Sequence, residues 1–98
     1  MNRAALASRW RRKGRIFSVN FRGATLYPAF QFDNKGQPRP VIARIARALG
    51  NQGSEWQLAL WLTSSVGWLN AQRPVDLLET DPEAVAEAAD QEAEELFF

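Results

Sequence analysis

Trp61-Leu-Thr-Ser-Ser-Val-Gly-Trp-Leu-Asn-Ala-Gln-Arg-Pro-Val-Asp-Leu-Leu-Glu-Thr-Asp-Pro-Glu-Ala-Val85 decides the architecture of this chain. In order it reads as the end of an apolar helix, a Gly-Trp-Leu turn, an Arg-Pro-Val-Asp-Leu-Leu turn of helix, and the start of a further helix. That last helix has Asp81 as cap and Pro82 at its first position, with Thr80 and Glu83 as an alternative capping box one residue earlier. So many boundaries in so short a run imply short helices folded back on one another.

Working upstream, Ser54 with Gln57 is a capping-box signature. Trp56, Leu58, Ala59, Leu60, Trp61 and Leu62 make the helix that follows apolar almost all round, which predicts burial on more than one side and a place at the centre of the domain. Before it, Pro40 suits a first helical turn. Val41, Ile42, Ile45, Ala46 and Leu49 form a stripe with Arg44 and Arg47 opposite, closed by Gly50. Downstream, Val85, Ala88, Ala89, Ala93 and Leu96 give a narrow stripe of mostly small residues. Glu92, Glu94 and Glu95 fall in the last turns, where the helix dipole disfavours negative charge by about a few tenths of a kcal/mol each.

The front of the chain follows a different pattern. Arg3 to Lys13 reads as a short basic helix, with Leu6 and Trp10 on one face and Gly14 past its end. The period then changes to two: Phe17, Val19 and Phe21 alternate with Ser18 and Asn20, and Leu26, Pro28, Phe30 and Phe32 share one parity. A β-hairpin turning at Arg22-Gly23-Ala24 is expected, with an open edge or an end to pairing at Pro28, which has no N–H to donate. Asp33-Asn34-Lys35-Gly36 followed by Gln37-Pro38-Arg39-Pro40 is a polar, breaker-rich connection. The expected fold class is therefore α+β: a basic helix and wing-like hairpin over residues 1–37, then a compact bundle of three to four helices over 38–98.

With 98 residues and 46% apolar content, the core is near the lower limit for independent stability, so self-association would help and a homodimer is expected. The sequence has no cysteine and no histidine, which excludes disulfides and thiolate chemistry and removes the commonest general base and metal ligand. No apolar run approaches the roughly 20 residues of a membrane span and the basic N-terminus lacks a signal-peptide core, so a cytoplasmic protein is expected. Asp76, Glu79, Asp81 and Glu83 crowd together without a phosphate loop, metal-ligand spacing or nucleophile–base pair. The expectation is no enzyme, no cofactor and no metal.

Charge is strongly asymmetric. Residues 1–49 carry eleven Lys/Arg and one acid, whereas residues 50–98 carry one Arg and ten acids, giving +10 and −9 within a net charge of +1. Either the halves neutralise each other on folding, or the basic half serves phosphate backbones and the acidic half a protein. A basic helix running into a hairpin matches the end of a winged helix, with Arg3, Arg9, Arg11, Arg12, Lys13 and Arg15 on or just after the helix and Arg22 at the wing tip. These seven are the candidate DNA contacts. The alternative is a solvated basic arm. Met1 falls where the recognition helix would begin, so a truncated form, a different start, or a wing kept for protein contacts is expected. Trp56, Trp61, Trp68, Leu69, Val75, Leu77 and Leu78 read first as core. Four tryptophans exceed what a core this small readily hides, and Trp68 with Arg73 are the candidate interface anchors.

The order and spacing of these elements from Val41 to Ala89, about half the chain, resemble the toxin-binding domain of the Xre/MbcA/ParS-type bacterial antitoxins. The Arg-Trp-Arg-Arg-Lys-Gly-Arg-Ile-Phe-Ser-Val and Leu-Tyr-Pro-Ala-Phe-Gln-Phe runs are similar to sequences that follow a helix-turn-helix in antitoxin-like proteins. Where the family commonly has a Gly pair after the Leu matching Leu69, this chain has Asn70-Ala71, and the family's Tyr-Gly pair has no counterpart in Glu-Glu-Leu-Phe-Phe. The resemblance implies neutralisation of a cognate toxin, often a NAD-consuming RES-domain enzyme, by a C-terminal segment that blocks its active site. Glu92, Glu94, Glu95, Leu96, Phe97 and Phe98 occupy that end. Carboxylates pairing with Arg or Lys and two aromatics filling a pocket suit such insertion, and folding back on the core or a dimer contact is the alternative for Phe97 and Phe98. Expected partners are thus a toxin and double-stranded operator DNA, with a small dimeric DNA-binding regulator lacking a toxin as the alternative.

Overall fold

The computed structural model describes residues 3–50 and 55–95. Among them are four α-helices and one antiparallel two-stranded hairpin, in the order α1 (Arg3–Arg12), β1 (Val19–Phe21), β2 (Ala24–Leu26), α2 (Pro40–Leu49), α3 (Glu55–Thr63) and α4 (Pro82–Glu95). The fold is α+β, with the basic helix and hairpin leading into the helical part. Ser54, Leu96, Phe97 and Phe98, and the side chain of Arg3, lie outside the described residues.

Helix α1 stops because Gly14 takes φ +74, which lets its N–H reach the Arg11 carbonyl (3.0 Å) and the Arg15 N–H reach that of Trp10 (3.0 Å). This is the paired carbonyl capture of a Schellman end. Trp10 then rests on Phe32, with ring centroids 5.9 Å apart.

The hairpin is shorter than its alternation suggests. Arg22 and Gly23 both have positive φ (52 and 82), making a two-residue turn of the primed kind whose twist matches the strands. Ala24, expected in the turn, pairs with Phe21 instead. Pairing ends at Val19–Leu26, before Pro28, and residues Ala29–Gln31 form a 3-10 turn where the alternating run predicts strand. The shared parity of Phe17, Val19 and Phe21 fails for the same reason. Ile16, Phe17, Ser18 and Val19 are all buried as the chain passes under the 3-10 turn, while Phe21 is exposed on the projecting hairpin.

Gln31 holds that passage in place. Its side chain is fully buried, and its Oε1 accepts from the Phe17 N–H (2.7 Å) while its Nε2 donates to the Phe17 carbonyl (2.9 Å) and the Pro28 carbonyl (3.1 Å). An amide side chain thereby replaces a missing β-strand. Its own carbonyl accepts from the Arg39 N–H (2.8 Å), linking this region to the start of α2.

One core draws on both ends of the chain. Phe17 and Val19 pack with Ile42, Ile45 and Leu49 of α2, Leu58 and Leu62 of α3, Leu78, and Val85 and Ala89 of α4. α2 and α4 make the most extensive helix pair, because Val85, Ala86, Ala88 and Ala89 give α4 a small-residue face that admits a close neighbour. Ala86 is a member that the sequence stripe omitted. Asp81 caps α4 as expected, with Oδ1 accepting from the Ala84 N–H (3.2 Å). Gly50 differs from expectation: its φ of −64 continues the right-handed geometry of α2.

α3 is not the doubly buried centre that its apolar circumference predicts. Only Leu58 and Leu62 are buried, while Trp56 and Leu60 lie on the solvent side at 50% and 65% exposure. After α3 the chain makes an excursion closed at its base, where the Val66 N–H donates to the Gln72 carbonyl (3.1 Å) and the Val66 carbonyl accepts from the Ala71 N–H (3.0 Å). Inside it, Gly67–Leu69 is a 3-10 turn followed by Asn70 and Ala71, both left-handed at φ 55 and 65. Both residues therefore hold backbone geometry that glycine adopts most readily. A left-handed non-glycine residue costs about 1–2 kcal/mol, partly offset by glycine's greater freedom in the unfolded chain. Ala71→Gly is accordingly expected to stabilise the protein by about 0.5 kcal/mol in urea unfolding, and a net loss would contradict this account.

Candidate functional site

The six basic candidates whose side chains are described divide by what already holds them. Arg11 donates to Glu55 Oε1 (2.8 Å), and Glu55 Oε2 accepts from the Ser18 N–H (2.7 Å) and Ser18 Oγ (3.4 Å), so this carboxylate ties α1, the chain before β1 and α3 together. Arg15 lies over the Trp10 ring (5.9 Å) and Arg22 over the Phe21 ring (5.1 Å) at the hairpin tip. Arg9, Arg12 and Lys13 are exposed and, among the described residues, have no ion pair. No acid lies in α1 to compete for them.

Among the described residues, ion pairs between the two oppositely charged halves are few, although the halves share one core. Besides Arg11–Glu55, Arg44 of α2 bridges Glu83 and Asp90 of α4, each at 3.1 Å, and both acids push the Arg44 pKa above its ordinary value, Glu83 most. The sequence placed Arg44 opposite the stripe. It instead stands at the α2–α4 seam. These pairs are exposed and screened by water, so they orient the helices more than they stabilise them. Among the described residues, Glu87, Glu92, Glu94 and Glu95 have no ion pair.

Of the protein-contact candidates, Trp68 is 48% exposed on the pinned excursion, while its neighbour Leu69 is buried against Val66 and Ala88. Arg73 precedes a 3-10 turn at Pro74–Leu77 and donates two bonds to Asp76, from Nε (2.8 Å) and Nη2 (2.9 Å). Glu92 lines a groove of about 350 Å3 with Leu49, Leu58, Leu60, Trp61 and Ser64, and Glu95 is exposed in the last turn of α4. The groove also conceals the Trp61 indole N–H, which has no acceptor among the described residues. The excursion packs on α4 near Ala84 and Ala88, so Glu92 and Glu95 lie about 6–10 Å further along the helix axis.

Sequence reasoning missed the exposed face of α3. Trp56 and Leu60 are four residues apart and share that face, with the Trp56 indole N–H donating to the Asn20 carbonyl (2.9 Å). Phe21 and Leu26 on the hairpin are exposed as well. The available signal was the excess of apolar residues around α3 over what a 98-residue core can cover.

Two carboxylates carry a pH signature. Asp33 Oδ1 accepts from the Gln37 N–H (3.0 Å) and Lys35 N–H (2.8 Å), and these amides, Gln37 first, hold its pKa below the ordinary value. Arg73 does the same for Asp76 through its side-chain hydrogen bonds. A depressed folded-state pKa contributes stability that is present above the unfolded value and is lost as pH falls through the folded one. Urea midpoints should therefore fall as pH drops from about 5 to about 3, and Asp76→Asn should flatten part of that fall. An unchanged pH slope in the variant would contradict the Arg73 assignment.

The chain matches no protein-family model, no curated protein and no solved structure.

Proposed function

We propose that the protein is a non-catalytic, antitoxin-type binding protein that grips a cognate toxin enzyme, of the RES kind neutralised by the family it resembles, through its C-terminal half. One observation supports this reading: Trp56, Leu60 and Trp68, at 50%, 65% and 48% exposure, stand in solvent while neighbours such as Leu58, Leu62 and Leu69 are buried. Large aromatics in water are the usual anchors of protein interfaces, and Arg73, fixed by Asp76, offers a preorganised cation beside this half's acids. Glu92 and Glu95, with no ion pair among the described residues, suit a basic, concave partner. Leu96, Phe97 and Phe98 extend the same proposal by their place after Glu95. Co-expression with the product of an adjacent gene is the test: the two proteins should co-purify and growth inhibition by the toxin should be relieved. Failure of every adjacent candidate to bind would sink the reading.

A second reading, a small dimeric DNA-binding regulator with no toxin partner, is favoured by the exposed Arg9 and Arg12 on α1, Lys13 just after it, and Arg22 at the hairpin tip. With about four phosphate contacts, log affinity for duplex DNA should fall against log salt with a slope of roughly −3.6. Salt-insensitive or absent binding removes this reading and leaves the first intact.

A further inference from the structure

A cleft of about 420 Å3 lies between α1, the hairpin and the first turn of α3, within the size range of small-ligand sites. Its lining combines cations, hydroxyl groups and an aromatic ring. Ser8, Arg11 and Arg12 line it from α1, where spacings of three and four residues put Ser8 beside both arginines. Thr25 and Tyr27 add hydroxyl groups from the hairpin and the residue after it. Trp56 adds an indole that is half exposed yet held by its bond to the Asn20 carbonyl.

Glu55 is the only carboxylate in this lining, and both its oxygens are engaged, one by Arg11 and one by Ser18. It therefore orients Arg11 instead of repelling an incoming anion at close range. Arg12 has no ion pair among the described residues, and the rest of α1 brings only further positive charge. Arginines present planar forks that suit phosphate oxygens, and a fixed aromatic face beside them suits a nucleobase, because every base offers a π-face whatever its sequence.

We infer that this cleft binds a nucleoside phosphate, its phosphate on Arg12 with Arg11 and Ser8 in reach and its base stacked on Trp56. The inference rests on neither the toxin reading nor duplex binding. The ligand is either a free nucleotide or an unpaired nucleotide of a single strand.

The test uses calorimetry on the full chain at low salt with four probes: AMP, inorganic phosphate, a 5′-phosphorylated single-stranded hexanucleotide, and a duplex. AMP should bind more tightly than inorganic phosphate. Arg12→Gln should weaken AMP about tenfold, as should Trp56→Leu, whereas Trp56→Phe should stay within about threefold because a ring remains. Circular-dichroism melts of each variant separate loss of binding from loss of fold. A hexanucleotide about tenfold tighter than AMP supports the single-strand source, and equal affinities support the free nucleotide. No binding of AMP or hexanucleotide overturns the inference. So does inorganic phosphate binding as tightly as AMP, AMP binding indifferent to Trp56→Leu in a folded variant, or a preference for duplex over both.

Discussion

Replacing Gln31 by Leu is expected to destabilise the protein by about 3 kcal/mol, because two buried backbone groups of Phe17 lose their partners and each such loss costs about 1–3 kcal/mol. Leucine has nearly the volume of glutamine, so the cost does not come from a cavity. It comes from the Phe17 N–H and C=O, which lie buried under the 3-10 turn and are paired there by the Gln31 amide. The Pro28 carbonyl loses a bond as well, at a less buried site. For a domain of this size the melting temperature should drop by about 12 °C or more. Gln31→Glu should fare no better, since one oxygen would face the two carbonyls that Nε2 now serves. A loss below about 1 kcal/mol in the leucine variant would show that the passage at Phe17 is held by packing alone.

The second large effect concerns binding. On the proposed toxin-binding reading, Trp68→Ala should weaken the complex with the toxin by about 30-fold or more, as truncation of an interfacial tryptophan anchor typically costs about 2 kcal/mol or above. The same substitution should leave the melting temperature of the free protein within about 3 °C, because the ring is half exposed and Leu69 supplies the contact with Val66 and Ala88. The two readouts together separate an interface role from a structural one. A large drop in melting temperature with unchanged affinity would place Trp68 in the fold and remove it from the interface.

Much of this architecture was legible because local rules and global packing agree. The stripe of Ile42, Ile45 and Leu49, the cap at Asp81 with Pro82 behind it, and the stop at Gly14 each follow from side-chain chemistry acting over a few residues. What periodicity could not reveal was which apolar residues a small core leaves outside. Trp56, Leu60 and Leu58 look equivalent along α3, and only the placement of β1 and the Pro74–Leu77 turn against that helix decides that Leu58 faces in and the other two face out. The 26–32 run shows the converse. Its alternation is real, but Pro28 ends the pairing, and Gln31, which reads as the polar member of a strand, becomes the most consequential buried side chain of the region. The charge asymmetry was visible at once. Its resolution into a few bridges, at Glu55 and along the α2–α4 seam, required the geometry.

The proposal that this chain works by holding a polypeptide depends on where a partner touches it. Hydrogen–deuterium exchange on the co-expressed complex measures that directly. Slower exchange over residues 55–72 and the last turns of α4, with residues 5–26 unchanged, is the predicted footprint. Slowing confined to α1 and the hairpin, with the surface around Trp56, Leu60 and Trp68 as open as in the free protein, would contradict it.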